Sequence, residues 1–119
     1  MKSIAIFLKS LRLQNNDERL SDMAQRLDIS ASYLSTIETE KRRMNDKLFD
    51  KLVHVYRLDD SQAKKLNVLR NLASDEIVVP LNEMTSSNKE LMAEFLSNLD
   101  ELSPEDFKKI DLMIKSKKS

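Results

Sequence analysis

Leu20-Ser21-Asp22-Met23-Ala24-Gln25-Arg26-Leu27-Asp28-Ile29-Ser30-Ala31-Ser32-Tyr33-Leu34-Ser35-Thr36-Ile37-Glu38 is the stretch that decides the fold. Leu20, Met23, Ala24 and Leu27 keep helical spacing for only two turns. Asp28-Ile29-Ser30 then interrupts, and Ser30 is a good N-cap for a second short helix with Leu34 and Ile37 on one face. The pattern predicts two short helices joined by a tight turn. Ala24 sits where the two must approach closely, and Met23, Leu27, Ile29, Leu34 and Ile37 are apolar where they fix the crossing angle. The outer face of the second helix carries Ala31, Ser32, Tyr33, Ser35 and Thr36. It is small and polar, with no acid on it, so it can enter the DNA major groove without clash or repulsion.

Outward from this stretch, helical signals continue. Ile4, Phe7, Leu8 and Leu11 follow i, i+3, i+4, i+7 and predict a first helix, ended by the polar Gln14-Asn15-Asn16-Asp17. Glu38 to Arg43 reads as a loop. Asn45 can cap a fourth helix with Leu48, Phe49, Leu52, Val53 and Tyr56 on its apolar side. Asp59 and Gln62 have capping-box spacing and open a fifth, carrying Ala63, Leu66, Leu69 and Leu72. The pattern changes at Ser74-Asp75-Glu76. Ile77-Val78-Val79-Pro80-Leu81 is the only β-like run, and Pro80 confines it to an edge. Two more helices follow, one marked by Leu91, Met92, Phe95, Leu96 and Leu99. The other starts at Ser103-Pro104-Glu105-Asp106 and carries Phe107, Ile110, Met113 and Ile114. The expected class is all-α: a five-helix domain over residues 1–74, then a short strand and two helices over residues 75–119.

Composition removes several function classes. The 119 residues include no Gly and no Cys, where an average chain of this length would hold about 8 glycines. Phosphate-cradling loops need Gly where the backbone meets phosphate, so none is expected. Thiolate metal sites, disulfides and Cys nucleophiles are excluded. His54 is the only histidine, without a second ligand type beside it, and reads as structural. Acidic pairs such as Asp59-Asp60, Asp100-Glu101 and Glu105-Asp106 sit at helix ends, where capping explains them. No metal, cofactor or catalytic activity is expected. The apolar run after Met1 is too short for a signal peptide, and no stretch approaches the ~20 residues of a membrane span, so the expected setting is cytoplasmic.

Net charge is zero, from 20 basic and 20 acidic side chains, but it is unevenly placed. Residues 1–57 hold 11 basic and 8 acidic side chains, and residues 58–119 hold 9 and 12. The compact basic cluster Lys41-Arg42-Arg43 follows directly on the decisive stretch, and a local patch of this kind suits a phosphate backbone.

With Leu20 to Glu38 and Lys41-Arg42-Arg43 in place, the sequence resembles the phage-repressor-like (XRE-type) helix-turn-helix family over roughly residues 4–73. The resemblance implies a lambda-repressor-like DNA-binding domain of prokaryotic or phage type, with Ser30 to Thr36 as the recognition helix. Ala31, Ser32 and Thr36 match base-reading positions. Tyr33, Ser35 and Thr39 match positions near groove walls or phosphates. Ser21 opens the preceding helix, whose N-terminus faces phosphate in the family. Lys41, Arg42 and Arg43 resemble the loop that grips the DNA backbone, and Arg12 and Glu38 match a structural ion pair. Two departures stand out: Asp28 and Glu40 fill places where the family usually has Gly. Asp tolerates a left-handed backbone better than Glu does.

The implied function is transcription regulation, expected as repression by a homodimer on a palindromic, double-stranded operator. Residues 75–119 are expected to dimerise, with Ile77, Val78, Val79 and Leu81 paired across a two-fold axis and covered by the helices around Phe95 and Phe107. Packing of this region on the first domain is an alternative. Two other functions fit the same residues. One is a DNA-binding antitoxin whose C-terminal region holds a protein partner. The other is an adaptor that uses the helical domain to bind protein.

Overall fold

The computed structural model describes residues 3–74 and 79–118, and every regular element among them is helical. The chain forms two compact units, Met1–Ile77 and Val78–Ser119.

The first unit contains α1 (Ile4–Gln14), α2 (Leu20–Arg26), α3 (Ala31–Glu38), α4 (Asp46–Val55) and α5 (Asp60–Leu72). Local chemistry sets most of their starts. The side chains of Ser3, Ser30, Asn45 and Asp59 accept the backbone N–H groups of Ile6, Tyr33, Leu48 and Gln62. The Gln62 amide oxygen returns the contact by accepting the Asp59 N–H, which completes the capping box. Each such cap contributes about 1 kcal/mol by satisfying a donor the helix itself cannot. The core is one cluster drawn from all five helices, including Ile4, Leu8, Met23, Ala24, Leu27, Leu34, Ile37, Leu52 and Leu66. Met44 and Leu58 join it from the connections before and after α4, and Met44 is fully buried. Leu72, by contrast, is 75% exposed at the last residue of α5.

Helix ends are closed without glycine. Asn16, Asp17, Asp28, Glu40 and Arg57 all have positive φ, between 51° and 62°. At the end of α2, the Asp28 N–H donates to Gln25 O and the Ile29 N–H to Ala24 O, at 3.1 and 3.0 Å. The same double closure recurs after α3 around Glu40 and after α4 around Arg57. It satisfies carbonyls that a helix end leaves orphaned and turns the chain sharply. For residues with a Cβ, the left-handed backbone costs about 1–2 kcal/mol.

A buried ion pair spans the unit. Arg12 on α1 is 6% exposed and pairs with Glu38, the last residue of α3. The same guanidinium nitrogen lies 3.4 Å from the Met23 Sδ of α2. One side chain therefore ties α1 to both helices of the decisive stretch.

The second unit contains α6 (Ser86–Ser97), a 3-10 turn (Leu99–Glu101) and α7 (Pro104–Ser116). Thr85 caps α6, while Ser103 and Asp106 form a capping box on α7 with Pro104 at its first position. Neither helix has a buried residue. The expected strand is corrected here: Val79, Pro80 and Leu81 carry no regular structure, and Ile77 and Val78 lie outside the described residues. A strand needs a neighbour for its backbone groups, and Pro80 supplies no donor to a ladder.

Two outcomes follow for stability. Glu38→Gln lowers it by about 3 kcal/mol by leaving the Arg12 charge buried and uncompensated, and Arg12→Met with Glu38→Leu together recovers most of the loss. Urea unfolding of the single and double variants checks this, and purely additive losses would contradict it. Arg57→Gly raises stability by about 0.5–1 kcal/mol in the same assay by relieving the left-handed backbone.

Candidate nucleic-acid interface

α2 and α3 form a helix-turn-helix whose turn is set by Asp28 and whose second helix is started by Ser30. An open cleft of about 510 Å³ follows the junction, lined by Ser21, Ala24, Gln25, Asp28, Ile29, Ser30 and Ala31. Ala24, which helps line it, is itself buried in the core.

Contacts at the back hold α2 in place. The Glu18 carboxylate accepts the Tyr56 hydroxyl at 2.7 Å and the Arg26 Nε at 2.9 Å, and the Arg26 guanidinium lies 5.6 Å from the Tyr56 ring centre. Burial, then the bond to Glu18, pushes the Tyr56 phenol well above its usual range. Lys51 on α4 donates to the Leu27 carbonyl at 3.1 Å, a cation placed at the negative end of α2. None of these links carries a sequence motif: Glu18–Tyr56 and Lys51–Leu27 join residues far apart in the chain, and Glu18 lies outside the helix that holds Arg26.

On α3, Ala31 and Ser32 are exposed, while Tyr33, Ser35 and Thr36 are half-buried. Tyr33 packs against the core cluster, so its ring is partly structural. The Ser30 hydroxyl accepts the Tyr33 N–H at 3.1 Å and lies 3.3 Å from the Ser32 hydroxyl. The Thr36 hydroxyl donates to the Tyr33 carbonyl at 2.6 Å and that of Thr39 to the Ser35 carbonyl at 2.9 Å. Both threonine oxygens then keep only acceptor capacity. The residues suited to base edges are thus Ala31 for a methyl, Ser32 as donor or acceptor, and Thr36 as acceptor.

The basic loop divides. Lys41 and Arg42 are exposed, and both backbone N–H groups return to the Thr36 carbonyl, at 2.9 and 3.2 Å. Glu40, left-handed and exposed, places a carboxylate in the same loop. Arg43 is committed inward: it donates to the Asn71 side chain at 3.3 Å and the Met44 carbonyl at 3.5 Å, and its Nε is buried without a partner. Arg70 reaches the same carbonyl at 3.4 Å, pairs with Asp46 at 2.9 Å and stacks 4.4 Å over the Phe49 ring. These two arginines fasten the loop to α5. Lys41 and Arg42 are the cations available to a phosphate.

At the start of α2, Ser21 is exposed in the first turn. The Asp22 carboxylate accepts the Arg19 backbone N–H at 2.9 Å and faces the Arg19 Nε at 3.3 Å. These bonds hold its carboxyl below the usual range. Phosphate approaching this helix start meets a carboxylate as well as backbone donors. Elsewhere, His54 is exposed, and among the described residues no three His, Cys, Asp or Glu side chains could share a metal ion. No helix among them is long and apolar enough to cross a membrane. Of the residues expected at a dimer interface, Val79, Leu81 and Phe95 are half-buried and Phe107 is exposed.

Comparison of the chain with protein-family models, with curated proteins and with solved structures finds no match.

The Asp22 arrangement has a pH signature. A carboxylate with a lowered pKa contributes stability that is present above its unfolded value, and loses it as pH falls through its folded value. Asp22→Asn therefore weakens the protein at pH 7 and flattens its loss of stability below about pH 4. Urea midpoints across pH 2–7 test this, and parallel curves for the two proteins would contradict it.

Proposed function

We propose that this chain is a sequence-specific, double-stranded-DNA-binding transcriptional regulator without catalytic activity. It acts as a repressor, a homodimer occupying an inverted-repeat operator in the cytoplasm and blocking transcription. The observation that carries this reading is α3 itself. Its outer residues are small and free of acid, Ser30 locks its start, and the buried Arg12–Glu38 pair locks its end. A helix so fixed can present Ala31, Ser32 and Thr36 to the major groove while Lys41 and Arg42 meet the flanking phosphates. Ser21, Ser35, Thr39 and Tyr33 stand around this set. Two copies on one face of the duplex would place their recognition helices about 34 Å apart.

The readout set is thin. It holds no Arg or Gln for bidentate contact with a base, so specificity draws on half-site spacing, bridging water and DNA shape. Glu40 also supports a second reading, a protein-binding adaptor, because its carboxylate lies in the loop that would face phosphate. The antitoxin reading keeps the same DNA contacts and adds a protein partner at the C-terminal unit.

Selection of bound duplexes from a random pool tests the proposal: an inverted repeat is expected, and failure to enrich any sequence at 50 mM salt would favour the adaptor. Lys41→Ala with Arg42→Ala should weaken binding to all duplexes alike and reduce the slope of log K against log salt by about 0.9 per lost phosphate contact. Arg43→Ala should lower the melting temperature with a smaller change in that slope. Ser32→Ala should alter the selected sequence. Glu40→Gly should tighten binding and raise stability by up to about 1 kcal/mol; unchanged affinity would count against DNA at this loop.

A further inference from the structure

α6 and α7 are well-made helices that lack a core. Each start is capped, yet neither helix contains a buried residue. Leu91 is 65% exposed, Met113 63% and Ile114 51%, with Leu96 and Phe107 also open to solvent. Met92, Phe95, Leu102 and Ile110 are half-buried, so both helices leave apolar edges open. A unit of about 40 residues is below the size at which one chain usually buries enough surface by itself.

Charge narrows what covers these edges. From residue 83 to 106 the chain carries seven acidic side chains and one basic. From 107 to 118 it carries five basic and one acidic. The single acid, Asp111, is paired along the helix with Lys115 at 3.0 Å. Lys109 acts on the Asp106 carboxylate one turn earlier in α7, while Lys108, Lys117 and Lys118 have no carboxylate partner among the described residues, and Glu90, Glu94, Asp100 and Glu101 have no basic one. A surface that holds an acidic half and a basic half beside one apolar strip is complementary to itself. A two-fold axis brings the basic end of α7 in one copy onto the acidic α6 and 3-10 turn of the other, at both ends of the contact. A partner of uniform charge would meet repulsion at one end.

We infer that the Val78–Ser119 unit is a self-association module: two copies pair through the apolar edges of α6 and α7, with the lysine-rich end of α7 set against the acidic segment 90–101 of the second copy. This rests on the homodimer part of the functional reading and is independent of DNA contact.

The test uses the full chain in sedimentation equilibrium without DNA, beside two charge-swapped forms. One carries Glu94→Lys, Asp100→Lys and Glu101→Lys; the other carries Lys115→Glu, Lys117→Glu and Lys118→Glu. All six positions are exposed, so helix content by circular dichroism should be kept wherever the dimer is kept. The unaltered chain should dimerise at micromolar concentration, each swapped form should dimerise at least tenfold more weakly, and an equimolar mixture of the two should recover a one-to-one heterodimer. Met113→Asp with Ile114→Asp should leave a monomer in which the first unit still melts cooperatively. A monomeric unaltered chain at 100 µM would overturn the inference and leave a different protein as the occupant. So would a dimer indifferent to both swaps, or swapped forms that do not recombine. Duplex binding by a monomeric chain would overturn this inference while leaving the DNA reading in place. A dimer of the expected kind that binds no duplex would uphold it while removing the DNA reading.

Discussion

A cation sealed inside the first unit governs its architecture. Arg12 cannot leave water without a partner of opposite charge, since an unpaired buried guanidinium would carry a penalty of several kcal/mol. Glu38 must therefore stay at the end of α3, next to α1, and Met23 presents its sulfur to the same nitrogen. The pair adds little net stability compared with apolar side chains of the same shape, but it rejects other arrangements. A helix shifted by one turn would strand both charges. For a short helix proposed to act through the placement of a few small side chains, such registry would matter more than stability does.

Further contacts behind α2 and α3 work in the same direction. Glu18, Arg26 and Tyr56 brace α2 from one side, and Lys51 holds its last turn from below. Arg43 and Arg70 converge on one backbone carbonyl and fix the loop after α3 to α5. The exposed face is sparse and the scaffold behind it is heavily bonded. This division suits the proposed role, in which the surface would meet a rigid duplex without rearrangement.

Much of this was legible in the residues. The helix starts at Ser30, Asn45, Asp59 and Ser103 followed from cap chemistry, whereas a left-handed backbone at Asp28 and Glu40 was suggested only by the glycine positions of the resembled family, and glutamate is a poor residue for it. Arg12 and Glu38 could be paired only through a family resemblance, because 26 positions separate them and local pattern carries no sign of it. The inward turn of Arg43 was illegible for a related reason: a run of three basic residues does not say which one finds an acceptor on a distant helix. Met44 was hidden in a polar loop, though it is as buried as any helix residue. The described part of the β-like run, Val79 to Leu81, shows the opposite failure. Its composition favours a strand, but strand formation depends on a neighbour that composition cannot supply.

The glycine-free helix ends have an evolutionary side. Asp28, Glu40 and Arg57 each hold a backbone shape that glycine adopts at lower cost. In the genetic code, aspartate, glutamate and arginine codons can each become a glycine codon by one nucleotide change. The fold thus stands one mutational step from greater stability at three separate places. That reserve could absorb destabilising changes elsewhere, including new side chains on the exposed face of α3, while the scaffold beneath it stays folded.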